Sequence, residues 1–311
     1  MRLGIGDDAA VWKPSPGKLQ VITVDEATEG TDFRRSTSSL EDAGWRALAA
    51  SLSDVAAMGG RPLLAVVSLT IPRDLDEQGV VALYRGMNEL ARRHRVTIAG
   101  GDLSRGAILS LGVTAVGEVR PSNLKRRDGG LPGDVVAVTG PLGASRAGLA
   151  ILDGQVDPAA LDPVLVARAV EAHRRPVPRV EAGHALGGSR EVRALMDLSD
   201  GLAADLPRLA AASGVAAVIE EAALPIDAAC RAVALAMGVA PARLALEGGD
   251  DLELLCAVRG RAFEHLAERV RARVGRPLLR VGRLEAGDSV TLERAGERHP
   301  LDVSGWEALR P

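Results

Sequence analysis

Leu40 to Gly60 reads LEDAGWRALAASLSDVAAMGG, and the run after it, LLAVVSLTI from Leu63 to Ile71, stops at Pro72. The first segment is a helix by its start, its content and its end. Ser38 and Ser39 stand three residues ahead of Glu41 and Asp42, the spacing of a capping box. Ala and Leu fill the middle, and Gly59 and Gly60 stop it. The second segment is apolar and rich in β-branched residues, a strand that Pro72 closes. A helix feeding a buried strand is the building unit of an α/β fold.

Working outward, Leu19 to Val24 reads as a strand ending at Asp25, and Asp76 to His94 as a second helix. VTIAGGD, residues 96–102, reads as a short strand leading into a Gly-Gly-Asp turn, and Ile108 to Val119 as a long strand. The polar, Gly/Pro-rich stretch RPSNLKRRDGGLPGD then marks a domain boundary, giving domains over residues 1–120 and 121–311. Beyond it, DVVAVTG is a strand that meets a helix in PLGASRAGLAIL, and RRPVPRV is a loop. ALMDLSDGLAADLPRLAAAS is a strand, turn and helix, and LEGGDDLELLCAV a turn and strand. The expected fold class is α/β of the α+β type: two domains, each with a mixed or largely antiparallel sheet.

Composition bounds the function. The chain has 311 residues, 47% of them hydrophobic but only 2% aromatic, so its core is built from Ala, Val and Leu. A formal net charge of -3 and the lack of any strongly basic face or tail argue against a nucleic-acid partner. No apolar stretch is long enough to span a membrane, and no secretory leader opens the chain. The two cysteines, Cys230 and Cys256, show neither metal nor disulfide spacing and read as core residues. The expectation is a cytoplasmic protein.

The five histidines stand in no triad or HExxH context, and there is no P-loop and no Rossmann fingerprint. What recurs is Asp beside Gly near strand ends: Asp7 and Asp8, Asp25, Asp54, Asp102, Asp197 and Asp200, Asp250 and Asp251. Magnesium takes oxygen ligands, and phosphoryl transfer needs cations that hold and neutralise phosphates more than it needs covalent help. Each Asp taken alone has a plainer reading as a surface turn. Asp54, in an otherwise apolar helix end, is either a solvated face or a ligand, and Asp200 either caps the next helix or ligates. The ordered set carries the chemistry.

That set, GIGDDAAV, TVDEATEGTDF, WRALAASLSDVAAMGGRP, IAGGDLSRG, RRDGGLPGDVVAVTGPLG, MDLSDGLAADL and LEGGDDLEL, resembles the thiamine-monophosphate kinases over nearly the whole chain. The resemblance implies a two-domain fold like that of aminoimidazole ribonucleotide synthetase. Its N-terminal domain would carry a four-stranded sheet that pairs in a homodimer. It implies ATP and thiamine monophosphate as substrates, thiamine diphosphate as product and several magnesium ions as cofactors. By position it assigns the metal to Asp8, Thr23, Val24 (through its backbone), Asp25, Asp54, Asp102, Asp197 and Asp200. It assigns ATP to Tyr84, Gly101, Asp102, Arg127 and Ser199, and the acceptor to Asp32, Asp250 and Trp306. Asp54, Asp102 and Asp197 would carry catalysis. The chain departs from the family pattern where Asp32 replaces His, Asp250 replaces Glu, Leu252 replaces Tyr and Val24 replaces a hydroxyl residue. Two alternatives accompany this reading: a relative acting on a different acceptor, and a nucleotide-binding relative without turnover.

Overall fold

The computed structural model describes residues 1–6 and 9–301. The chain first forms β1 (Leu19–Thr28), α1 (Leu40–Ala57), β2 (Arg61–Ile71), α2 (Glu77–His94), β3 (Thr97–Arg105) and β4 (Ser110–Val119). These strands make a four-stranded sheet in the order β1-β4-β2-β3, antiparallel except for the β2–β3 pair. After the 120–133 connection come β5 (Asp134–Val138), α3 (Ala144–Leu152), α4 (Pro163–Arg174), α5 (Val180–Gly187), β6 (Val192–Asp197) and α6 (Leu202–Ser213). They are followed by β7 (Ala216–Glu220), α7 (Ala228–Ala236), α8 (Pro241–Glu247), β8 (Leu254–Arg259) and α9 (Phe263–Val274). β9 (Leu279–Glu285), β10 (Val290–Arg294) and β11 (Glu297–Pro300) complete a mixed seven-stranded sheet, β11-β10-β7-β9-β5-β8-β6.

The capping box forms as its spacing predicts: Ser39 Oγ accepts from the Asp42 N–H and Asp42 Oδ2 from the Ser39 N–H, each at 3.1 Å. α1 is then buried on nearly all sides, because it lies between the two sheets. One apolar cluster runs from Val67, Leu111 and Val113 of the small sheet, through Leu48 and Leu52, to Leu195, Leu254 and Cys256 of the large one. The period-two alternation of strands explains how the large sheet serves two cores. Val135 and Ala137 join the cluster that contains α1, whereas Val136 and Val138 face the second cluster with α3, α6 and α7. Both cysteines are free and buried, as expected of core residues. No single helix among the described residues is long and apolar enough to cross a membrane.

Contact between α1 and α2 is close enough to exclude a side chain. A Cβ at Gly86 would sit 1.8 Å from Glu41 O. Gly86→Ala therefore forces the helices apart, and we expect it to lower unfolding free energy by about 3 kcal/mol or more, read from urea melts.

Two strand limits differ from the sequence reading. Gly100-Gly101-Asp102 is not a turn, because β3 runs on to Arg105 alongside β2, with Val67 opposite Gly101 and Ser68 opposite Asp102. A Cβ at Gly101 would lie 2.0 Å from Val67 O, so this glycine allows close strand approach instead. β1 likewise passes Asp25 and pairs with β4 as far as Thr28 opposite Ser110.

Candidate active site

Three carboxylates from separate elements gather where the sheets face each other. Along β1 the alternation turns Thr23 and Asp25 inward, while Ile22, Val24 and Glu26 face out. Asp54 lies in the last turn of α1 and Asp197 ends β6. Thr23 Oγ1 donates to Asp54 Oδ2 at 2.5 Å. Asp25 Oδ2 is buried without any hydrogen-bond partner.

Burial, and then the neighbouring Asp54 charge, push the Asp25 carboxyl up to about 6. Burial followed by Asp54 and Asp205 pushes Asp197 up to about 8. Asp54 is raised too, by burial, with the Thr23 hydroxyl and the Arg127 guanidinium offsetting part of the effect. The three groups thus disfavour one another's charge, an arrangement that a cation relieves.

Among the described residues no three His, Cys, Asp or Glu side chains already stand close enough to hold a metal ion. The donor set nevertheless fits magnesium: hard carboxylate oxygens, a hydroxyl, and an orphaned buried oxygen on Asp25. The Val24 side chain is 66% exposed and faces away, so only its backbone is available to such an ion. Asp8 lies outside the described residues.

Asp102 stands apart from this trio. It is exposed on β3 and shares a cleft of about 520 Å³ with Gly101 and Tyr84, whose ring leans in from α2. Arg127 joins the trio through its charge on Asp54, and Ser199 lends its carbonyl to the Asp250 N–H at 2.8 Å.

Asp200 does not cap α6. The cap residue is Gly201, with no side-chain bond, and the Asp200 carboxylate instead pairs with Arg208. The two acids there are shared by one cation, since Arg208 also holds Asp205 at 2.7 Å.

A smaller pocket of about 50 Å³ brings Asp32 and Asp250 together with Asp25. Asp32 Oδ2 accepts from the Thr28 N–H at 2.7 Å. Burial raises the Asp32 carboxyl, while that N–H and Arg46 pull it down. Arg46, only 8% exposed, spans the pocket wall: one nitrogen binds the Asp250 carboxylate and the other donates to His173 O at 2.5 Å. Asp250 and Leu252 hold left-handed backbones at φ 61° and 48°, strain that the neighbouring Ser199 and Leu198 carbonyls fix in place. Between them Asp251 points away, accepting from the Gly143 N–H at 2.6 Å and the Ser145 N–H at 3.2 Å at the start of α3. Trp306 lies outside the described residues.

Known proteins match this arrangement along its length. Residues 6–119 match the family model of the AIR synthase related protein N-terminal domain, and 132–294 that of its C-terminal domain. The thiamine-monophosphate kinase of Bacillus subtilis (strain 168) is 37% identical over 281 residues, 90% of this chain and 84% of the relative. This chain belongs to the thiamine-monophosphate kinase family. Among solved structures, the thiamine-monophosphate kinase of Stenotrophomonas maltophilia K279a is 36% identical with a TM-score of 0.85, over 96% of this chain and 92% of that one. A second, AaThiL complexed with AMPPCP and TMP, is 30% identical with a TM-score of 0.82, over 96% of this chain and 89% of that one.

Within this thiamine-monophosphate kinase framework, Arg46 and Asp205 of the site, and Glu253 next to the pocket-lining Leu252, escaped the sequence reading. Arg46 carried a usable signal. It precedes Ala50 and Asp54 at spacings of four, which puts all three on one ridge of α1, and Ala50 lines the same pocket. Asp205, 1% exposed and pushed up to about 6 by burial and Asp200, looked like an ordinary helix residue. Glu253 is bound by Arg179 at 2.7 Å, Arg276 at 2.9 Å and Thr139 at 2.6 Å, partners far away in sequence.

Proposed function

We propose that this chain phosphorylates thiamine monophosphate with ATP, giving thiamine diphosphate and ADP. The observation that carries the reading is the trio of Asp25, Asp54 and buried Asp197, whose mutual repulsion calls for cations, with Asp25 also lining the Asp32–Asp250 pocket. Kinship with thiamine-monophosphate kinases along nearly the whole chain supports the reaction and the acceptor.

In this reading Asp25, Asp54 and Asp197 hold magnesium, together with Asp8, Thr23, the Val24 carbonyl, Asp102 and Asp200. When bound, magnesium supplies positive charge that draws the phosphate oxygens together and neutralises them. Tyr84, Gly101 and Asp102 seat the nucleotide, Ser199 also contacts it, and Arg127 offers a guanidinium to its phosphates. Asp32 and Asp250, with Trp306, take the acceptor.

A phosphate oxygen of thiamine monophosphate attacks the γ-phosphorus of ATP. The bond to the β,γ-bridging oxygen breaks and ADP leaves. The attacking phosphate oxygen is already ionised at neutral pH, so no side chain needs to remove a proton. Catalysis by Asp54, Asp102 and Asp197 is then charge placement and alignment.

Residues 1–120 and 121–311 act in this reading as the two domains. The outward face of the four-stranded sheet, with Ile22 72% and Val24 66% exposed, is the surface that pairs in a homodimer. The free, buried cysteines suit the cytoplasm.

Arg46 positions the acceptor-binding Asp250, so Arg46→Met should raise KM for thiamine monophosphate by about tenfold or more and leave KM for ATP nearly unchanged. Equal effects on both constants would remove Arg46 from the acceptor pocket. The acceptor itself is tested by offering thiamine monophosphate, free thiamine and unrelated phosphomonoesters in parallel. Product from thiamine monophosphate alone is expected; faster turnover of another phosphomonoester would reassign the acceptor.

A further inference from the structure

A cleft of about 900 Å³ belongs to neither of the two pockets above and shares no lining residue with them. It opens where the C-terminal ends of α2, α5 and α9 meet the start of β2 and the end of β4. Six cationic side chains line it, Lys18, Arg61, Arg93, Arg95, Arg120 and Arg273, against two acids, Glu118 and Glu181. In a chain of net charge -3 this is a strong local excess of positive charge.

The acids offset only part of it. Glu118 lies opposite Arg61 in the β2–β4 register, yet its carboxylate pairs with Lys18, and Glu181 pairs with His94 at 3.3 Å. Arg61, Arg95, Arg120 and Arg273 have no carboxylate partner among the described residues. Three of them converge on one group. Burial and the charges of Arg61, Arg273 and Arg120 together hold the His184 imidazole below its ordinary range.

Helix dipoles account for part of the pattern. Arg93, His94, His184 and Arg273 sit in last helical turns, where cations oppose the negative end of the dipole. Arg61 opens β2 and Arg120 directly follows β4, so neither is explained that way. Guanidinium groups without carboxylates, gathered around a concavity, match the forked geometry of phosphate oxygens. The cleft volume is that of a small-molecule site. Its lining contains no Phe, Tyr or Trp ring on which a base could stack, which argues against a nucleotide or single-stranded nucleic acid as occupant.

We propose that this cleft binds a small polyphosphate anion at a site separate from the nucleotide cleft. Inorganic tripolyphosphate is the probe, titrated calorimetrically into the full chain after the nucleotide site has been saturated with a non-hydrolysable ATP analogue. Wild-type protein should bind one further equivalent. Arg61→Ser/Arg120→Ser should weaken that binding by about tenfold or more, and Arg61→Lys/Arg120→Lys should weaken it less. Both variants should keep the wild-type circular dichroism and the wild-type affinity for the ATP analogue, since neither residue lies in the nucleotide cleft or the acceptor pocket. Absence of the further equivalent in wild-type protein, or its undiminished binding to the Ser variant, would overturn the proposal. The titration needs no turnover, so its outcome stays separate from the assignment of the reaction.

Discussion

Asp54→Asn is expected to lower kcat by about a thousandfold or more, because several kcal/mol of charge placement at the phosphates disappears with one carboxylate. The same variant should fold at least as well as the wild type. Asp54 is held above its ordinary range by burial, and its charge raises both Asp25 and Asp197. An amide removes that repulsion and still offers an oxygen to the Thr23 hydroxyl, now 2.5 Å from the carboxylate. Activity lost while the melting temperature holds or rises marks a group kept for function at the expense of stability. Near-normal turnover in a folded variant would dismiss the carboxylate cluster as the seat of chemistry.

Removing divalent metal should make stability fall as pH rises. Asp25, Asp197 and Asp205 move from an ordinary 3.8 to about 6, about 8 and about 6 in the folded chain. Between the unfolded and folded values the native state holds more protons than the unfolded one, so each proton released on raising the pH weakens folding. The stability contributed by these neutral carboxyls is fully present below about pH 4 and is lost as pH climbs through about 8. Melting temperatures in a chelator should therefore drop between pH 6 and pH 8, and magnesium should restore more at pH 8 than at pH 6. A magnesium effect that is the same at both pH values would separate the ion from these carboxylates.

Most of the first sheet was legible because its signals are local. Ser39 and Asp42 cap α1, Pro72 closes β2, and Asp76 caps α2 with its carboxylate on the Gly79 N–H at 2.9 Å. Asp54 announced itself as a charge in an apolar helix. The Gly-Gly-Asp segment misled, because a close strand contact and a tight turn ask for the same small residue, and only the partner strand tells them apart. The Asp200 pairing with Arg208 was hidden for a similar reason, since an acid just before a helix has the look of a cap. The Arg46–Asp250 contact joins residues 204 apart in sequence, and no periodicity connects them.

The central claim is a magnesium-dependent transfer made possible by the carboxylate trio. Its most direct test incubates the purified chain with ATP and thiamine monophosphate, with magnesium or with excess chelator, and quantifies thiamine diphosphate and ADP together. The predicted result is equal amounts of both products with magnesium and neither with chelator. A folded protein that binds ATP in the presence of magnesium yet forms no thiamine diphosphate would contradict it.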